Sequence, residues 1–207
     1  MIPGVDILTP IRDLKLSREA EIAYLKEKGV DMNFDKAMYS INKGLWGTSV
    51  GGKETLSSKG MLPEEAWPTQ LTKQGSEEVK LGFVKGELKT INDKTFSHPS
   101  EAIQYLQTLA GPYAIGRDIH VGDTIIGIKG RVGFEAAAPM TILKAHHALE
   151  KHTLTKWQLS WKDQLSQFYG NWLHEGQILD PVMRDIEAYL ERSQQNVTGD
   201  VFVQLMP

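Results

Sequence analysis

The 207-residue chain contains no cysteine. That absence removes disulfide staples, thiolate nucleophiles and cysteine-ligated zinc together, and it predicts residence in a reducing, cytoplasmic compartment. A chain of this length buries about 70% of the surface its unfolded form exposes, so it needs no such staple. No apolar run approaches the roughly 20 residues of a membrane-spanning helix. The opening "MIPGVDILTPIRD" has neither the basic segment nor the apolar stretch of a secretory leader. A basic excess is missing too: 23 Lys and Arg stand against 26 Asp and Glu, with a formal net charge of -3. With the two signs interspersed, neither nucleic acid nor a membrane is expected as a partner.

Complete catalytic motifs are also missing. His146 and His147 are adjacent and diverge on a helix, no HExxH spacing accompanies them, and His146 with Glu150 does not make a zinc site. Packed or capping roles are expected for both. Ser40 and Ser49 flank "INKGLWGT", where their hydroxyls suit turns or a small polar ligand; no Gly-x-Ser-x-Gly elbow surrounds either. "GTSVGGKET" carries half of a phosphate loop without the full spacing or a strand-to-helix setting. No catalytic, cofactor-binding or metal-ligating residue is assigned.

What is present reads as hairpins, helices and a late strand. Ser17 precedes the helix former "REAEIAYLKEKG", with Gly29 as its stop. Residues 38–75 lack periodicity and read as a long functional loop or a segment packed against something outside the chain. Val79, Leu81 and Phe83 alternate as a half-buried strand, Lys85–Gly86 supplies a turn, and Leu88 with Ile91 suggests a return strand of irregular register. Pro99 starts a helix carrying Ile103, Leu106 and Leu109. Two further helices run through "MTILKAHHALEKH" and a stretch bearing Trp157, Trp161, Leu165, Phe168 and Trp172. Helix-to-helix core packing accounts for that aromatic stripe. "DPVMRDIEAYLERSQ" adds a helix and "GDVFVQL" a strand. The expected fold class is α+β, antiparallel sheet elements packed with several helices.

The segment 116–139, "GRDIHVGDTIIGIKGRVGFEAAAP", punctuates Ile, Val and Phe with five glycines. Glycine permits tight turns and close backbone approach. Lys129 and Arg131 share a side if the backbone is extended, suiting a carboxylate, an acidic partner or a plain charged face. His120 is expected to make a local hydrogen bond.

The ordered combination is more specific than its parts. "IPGVDILTPIRD", "SREAEIAYLKEKGV", "YSINKGLWGTSVGG", "GRDIHVGDTIIGIKGRVGFE", "TILKAHHALE", "YGNWLHEGQILDP" and "VTGDVFVQL" resemble consecutive landmarks of argininosuccinate synthase. The resemblance covers essentially the whole chain and is to that enzyme's C-terminal synthetase and multimerisation domain. It implies a lead-in segment over 1–16, following a nucleotide-binding domain absent from this chain, then the synthetase/multimerisation domain over 17–207 without its final C-terminal tail.

For the complete enzyme the resemblance implies ATP-dependent ligation of citrulline with L-aspartate in arginine biosynthesis, releasing AMP and pyrophosphate. ATP and Mg2+ would be bound mainly by the absent domain, the assembly would be a homotetramer, and the isolated chain would be inactive. This domain would orient the citrulline-like substrate. Two substrate-contact positions carry over as Ser40 and Ser49. At Gly122 the family pattern has Glu, and at Phe134 it has Tyr. The first change removes a carboxylate suited to an ammonium, and the second removes a hydroxyl, leaving room for an N-acylated citrulline. The alternative is a non-catalytic structural or small-ligand-binding domain of the same fold.

Overall fold

A computed structural model describes residues 4–31, 39–123 and 127–207. The chain divides at Tyr39/Ser40 into two compact units. In the first, α1 (Pro10–Leu14) starts on a proline and stops at Lys15 in the left-handed region. It is followed by α2 (Arg18–Glu27), where the Ser17 hydroxyl accepts the Ala20 N–H at 3.3 Å and Gly29 turns the chain at φ 74°.

Among the described residues, eight strands follow from Tyr39 onward: β1 (Tyr39–Gly44), β2 (Gly47–Gly52), β3 (Glu77–Val84), β4 (Glu87–Ile91), β5 (Lys94–Thr95), β6 (Arg117–Asp123), β7 (Lys129–Glu135) and β8 (Gly199–Leu205). The helices of the same stretch are α3 (Pro99–Ala110), α4 (Ala137–Thr153), α5 (Lys156–His174) and α6 (Pro181–Ser193). The strands form two four-stranded sheets, in the orders β1-β2-β7-β6 and β5-β4-β3-β8. The pairs β2–β7, β7–β6, β3–β4, β4–β5 and β3–β8 are all antiparallel. The fold is α+β, as expected.

The second sheet carries the core. Val79, Leu81 and Phe83 point inward, as the alternation requires, and meet Ala102, Leu106 and Ala110 of α3 with Ala145 and Leu149 of α4. Lys85 and Gly86 both take positive φ, 51° and 81°, the signature of a tight primed turn. The register slips between Gly82 and Phe83, matching the irregular return strand.

Two expectations fail. The long loop expected over 38–75, whose first residue lies outside the described residues, does not hold over 39–75: 39–52 form the β1–β2 pair of strands and the irregular part is 53–75. The sequence hid these strands because one sheet face is open and polar and glycines interrupt the pattern. The aromatic stripe of α5 does not pack into a core, since Trp157, Trp161 and Phe168 are 67%, 58% and 57% exposed and no α5 residue is fully buried. The inner side of α5 instead carries Leu159, Lys162, Ser166 and Tyr169 at helical spacing. Trp157, Trp161 and Phe168 lie on an outward stripe, while Leu165 and Trp172 are half-buried.

Candidate functional site

The first sheet has two unlike faces. Ser49 pairs in register with Phe134, and Phe134 with Asp118 on the far strand, so these three side chains form one row on a single face. The period of two adds His120 and Gly122 from β6, Val132 and Gly130 from β7, and Ser40 and Asn42 from β1. The Asn42 amide donates to the Ser49 hydroxyl at 3.4 Å, placing the β1 residues on that face. His120 lies edge-on to Phe134, with ring centroids 5.3 Å apart and planes at 71°. A Cβ on Gly47 would sit 2.3 Å from Phe134 Cζ, so glycine is required beneath the ring. Ser40, Asn42, Asp118, His120 and Gly122 are exposed, while Ser49 and Phe134 are half-buried.

The opposite face is covered by residues 53–75. Arg117 forms a two-pronged ion pair with Glu64, at 2.7 and 3.0 Å, and stacks 5.1 Å from the centre of Trp67. That hydrogen-bonded guanidinium holds the Glu64 carboxyl below its ordinary pKa. Glu135, buried, accepts the Thr69 hydroxyl at 2.7 Å and the Thr69 N–H at 3.3 Å. Arg131 donates to the carbonyls of Glu54 at 3.3 Å, Ser57, and Gly60 at 2.7 Å. Gly133 lets this cover approach, because a Cβ there would meet Leu62 Cδ1 at 2.1 Å. The cover fixes the sheet from behind and leaves the row of side chains on a stiff support.

The glycine-rich stretch is thereby explained. Gly116, at φ 76°, and Gly133 serve close packing, whereas Gly122 faces open space, with no heavy atom within 4 Å of where its Cβ would be. The cationic pair does not form a joint anion site: Arg131 is spent on backbone carbonyls and Lys129 on Asp123 at 2.6 Å. The His120 imidazole makes no hydrogen bond among the described residues, contrary to expectation; its contact is aromatic. "GTSVGGKET" runs from β2 into a 3-10 turn, without the strand-to-helix geometry of a phosphate loop. Among the described residues no three His, Asp or Glu side chains converge as a metal site.

His146 and His147 flank the fully buried Glu150, at 3.7 and 3.5 Å, while Lys162 reaches the same carboxylate at 2.6 Å and Gln194 at 2.9 Å. This is the packed role expected of the two histidines. Burial pushes the His146 pKa down against the pull of Glu150. For Glu150, burial acts upward, but Lys162, His146 and Gln194 outweigh it and hold the carboxyl below its ordinary range.

The resemblance implies that Ser40, Ser49, Gly122 and Phe134 belong to one substrate pocket; strand register and the Asn42–Ser49 contact put all four on one sheet face. Sequence reasoning missed Asn42 and Asp118. Only the pairing of β1, β2, β6 and β7 reveals them, since in sequence they read as ordinary polar loop residues.

Fold and site together define an α+β domain whose first sheet is clamped from behind and presents a polar, aromatic-centred face. Residues 39–207 match the family described as "Arginosuccinate synthase C-terminal domain". The chain belongs to the argininosuccinate synthase family, as its C-terminal domain. It is 36% identical over 206 residues to the argininosuccinate synthase of Methanocaldococcus jannaschii, covering 98% of this chain and 52% of that protein. The synthases of Methanopyrus kandleri and Bacillus mycoides are 33% and 36% identical, over 97% and 98% of this chain and 52% of each relative. The chain thus spans about half the length of the relatives it matches.

Proposed function

We propose that this domain is the substrate-orienting wall of an ATP-dependent carbon–nitrogen ligase. The complete enzyme joins citrulline, or an N-acylated citrulline, to L-aspartate in the cytoplasm, yielding argininosuccinate or its acyl derivative with AMP and pyrophosphate. The observation that carries this reading is the convergence of Ser40, Ser49, Gly122 and Phe134 on one open sheet face backed by a rigid cover. A row of hydroxyl, amide and aromatic groups suits a small zwitterionic or amide-bearing substrate, and its role is positioning rather than proton transfer. Ser40 and Ser49 hold polar ends of the substrate, and Phe134 supplies the apolar wall. ATP and magnesium belong to residues outside this domain. The outward aromatic stripe of α5 supports assembly into a homotetramer through this domain.

The test is turnover by the complete enzyme with ATP, magnesium, aspartate and citrulline or Nα-acetylcitrulline, following AMP and the ligated product by mass. Aspartate-dependent AMP release with ligated product supports the ligase. No product from either substrate would favour the other reading, a non-catalytic binding domain on the same fold. The purified 207-residue chain alone is expected to form no product.

A further inference from the structure

We propose that His120 is a specificity-determining residue that recognises an acyl group on the substrate's α-nitrogen, seated in the notch between Gly122 and Gly130; this rests on the open face being the citrulline site.

Gly122 and Gly130 face each other in register on β6 and β7, so two adjoining positions carry no side chain. A Cβ on Gly122 would meet nothing within 4 Å, which leaves room for substrate atoms there. Along β6, His120 is the next side chain on that face, and Val132 is its register partner on β7. The imidazole is held edge-on by Phe134 at 5.3 Å, exposed, with no hydrogen-bond partner for its ring nitrogens among the described residues. It is a donor without a partner among the described residues, beside the open space over Gly122.

The charges around the notch decide which group it takes. Asp123 projects to the other face and is paired with Lys129 at 2.6 Å. Asp118 lies beyond His120, opposite Phe134, with one oxygen accepting the Ile119 N–H at 2.7 Å. Among the described residues, an α-ammonium in the notch would meet an imidazole and no adjacent carboxylate, so it would gain no counter-charge there, and covering the face with substrate would make that lack costly. A neutral amide suits the same place. Its carbonyl accepts the imidazole N–H, and its alkyl end lies over the two glycines beside Val132. The substrate class is therefore an α-N-acyl citrulline.

The test compares kcat/KM for Nα-acetylcitrulline and free citrulline in the complete enzyme, with ATP and aspartate saturating. His120→Phe keeps the ring packing on Phe134 and removes the N–H; His120→Gln restores a donor. The acetyl-to-free ratio should fall about fivefold to tenfold in His120→Phe, the size of one hydrogen bond, through KM rather than kcat. It should recover in His120→Gln. Gly122→Val, which fills the notch without charge, should lower the same ratio. Thermal melting establishes that each variant is folded. An unchanged ratio in folded His120→Phe, or equal losses on both substrates, overturns the assignment. Ser49→Ala separates the two levels. If it leaves both substrates untouched, the open face is not the citrulline site. If it weakens both while the His120→Phe ratio stays flat, only the role of His120 fails.

Discussion

Ser49 and Phe134 face each other in register across β2 and β7, and the ring also lies over Gly47 and against His120. One aromatic side chain thus ties three strands into a single surface. Because the rear of the sheet is pinned through Arg117, Arg131 and Glu135, changes on the open face act on the ligand more than on the fold.

Ser49→Ala tests that claim directly. The hydroxyl is half-buried and receives the Asn42 amide, so its loss removes one polar contact and loosens a neighbour. Productive binding of the citrulline-type substrate should weaken by about 0.5–3 kcal/mol. The KM for ATP should move far less. Steady-state kinetics with each substrate varied in turn checks this, and an equal rise in both KM values contradicts it.

Gly122→Glu should shift preference towards a free α-ammonium. The new Cβ enters open space, and thermal melting establishes that the variant is folded. A charge-assisted hydrogen bond contributes roughly 1.5–3 kcal/mol, which converts to a change of about 10- to 150-fold in the free-to-acylated ratio of kcat/KM. A folded variant with unchanged discrimination would show that position 122 does not read the α-nitrogen.

The fold was legible wherever one side of an element met the core. Val79, Leu81 and Phe83 alternate because one face of β3 is buried, and Ser17, Pro99 and Asp180 announce helices because free N–H groups need acceptors or a proline. The β1–β2 strands were not legible, since Ser40, Asn42 and Ser49 face outward and leave no apolar period. The α5 stripe misled for the opposite reason. Apolar spacing marks a surface that needs covering but does not say whether the same chain covers it. Site residues share this limit, because a face is a property of strand register and not of sequence spacing.

Acid should destabilise the domain through the Glu150 cluster. His146 and Glu150 both have pKa values below their ordinary ones, so the unfolded chain binds more protons than the folded one in each window. Stability is therefore full above the ordinary histidine value of about 6.5 and declines as pH falls through the lowered folded value. A second loss sets in below about pH 4.3, as Glu150 becomes protonated. Urea midpoints from pH 8 down to about pH 3, which reaches both windows, give the profile. In His146→Phe the decline below about pH 6.5 should shrink; an unaltered profile would assign it to other groups.

The Lys162–Glu150 pair should be costly to break from one side. Glu150 is fully buried, with Lys162 at 2.6 Å as its closest cation. Lys162→Met strands a buried charge and should cost about 3–5 kcal/mol at neutral pH. Adding Glu150→Gln should recover much of that loss, since the uncompensated charge is gone. Chemical denaturation of both variants decides it, and a double variant no more stable than Lys162→Met would mean the pair acts through packing instead.

The outward face of α5 makes a prediction about assembly. Trp157, Trp161 and Phe168 are more than half exposed on one helix, and a contiguous apolar patch of that kind marks an interaction surface. None of them enters the core, so replacing them should leave the fold intact. Trp161→Glu places a charge at the middle of the stripe, where burial against a partner would leave it unpaired. In the complete enzyme this variant should sediment as a smaller species than wild type, with the circular-dichroism spectrum preserved. Trp157→Ser should give a weaker, concentration-dependent version of the same shift, because it lies at the edge of the stripe. If a folded Trp161→Glu enzyme sediments as wild type does at every concentration, this face is not the assembly surface.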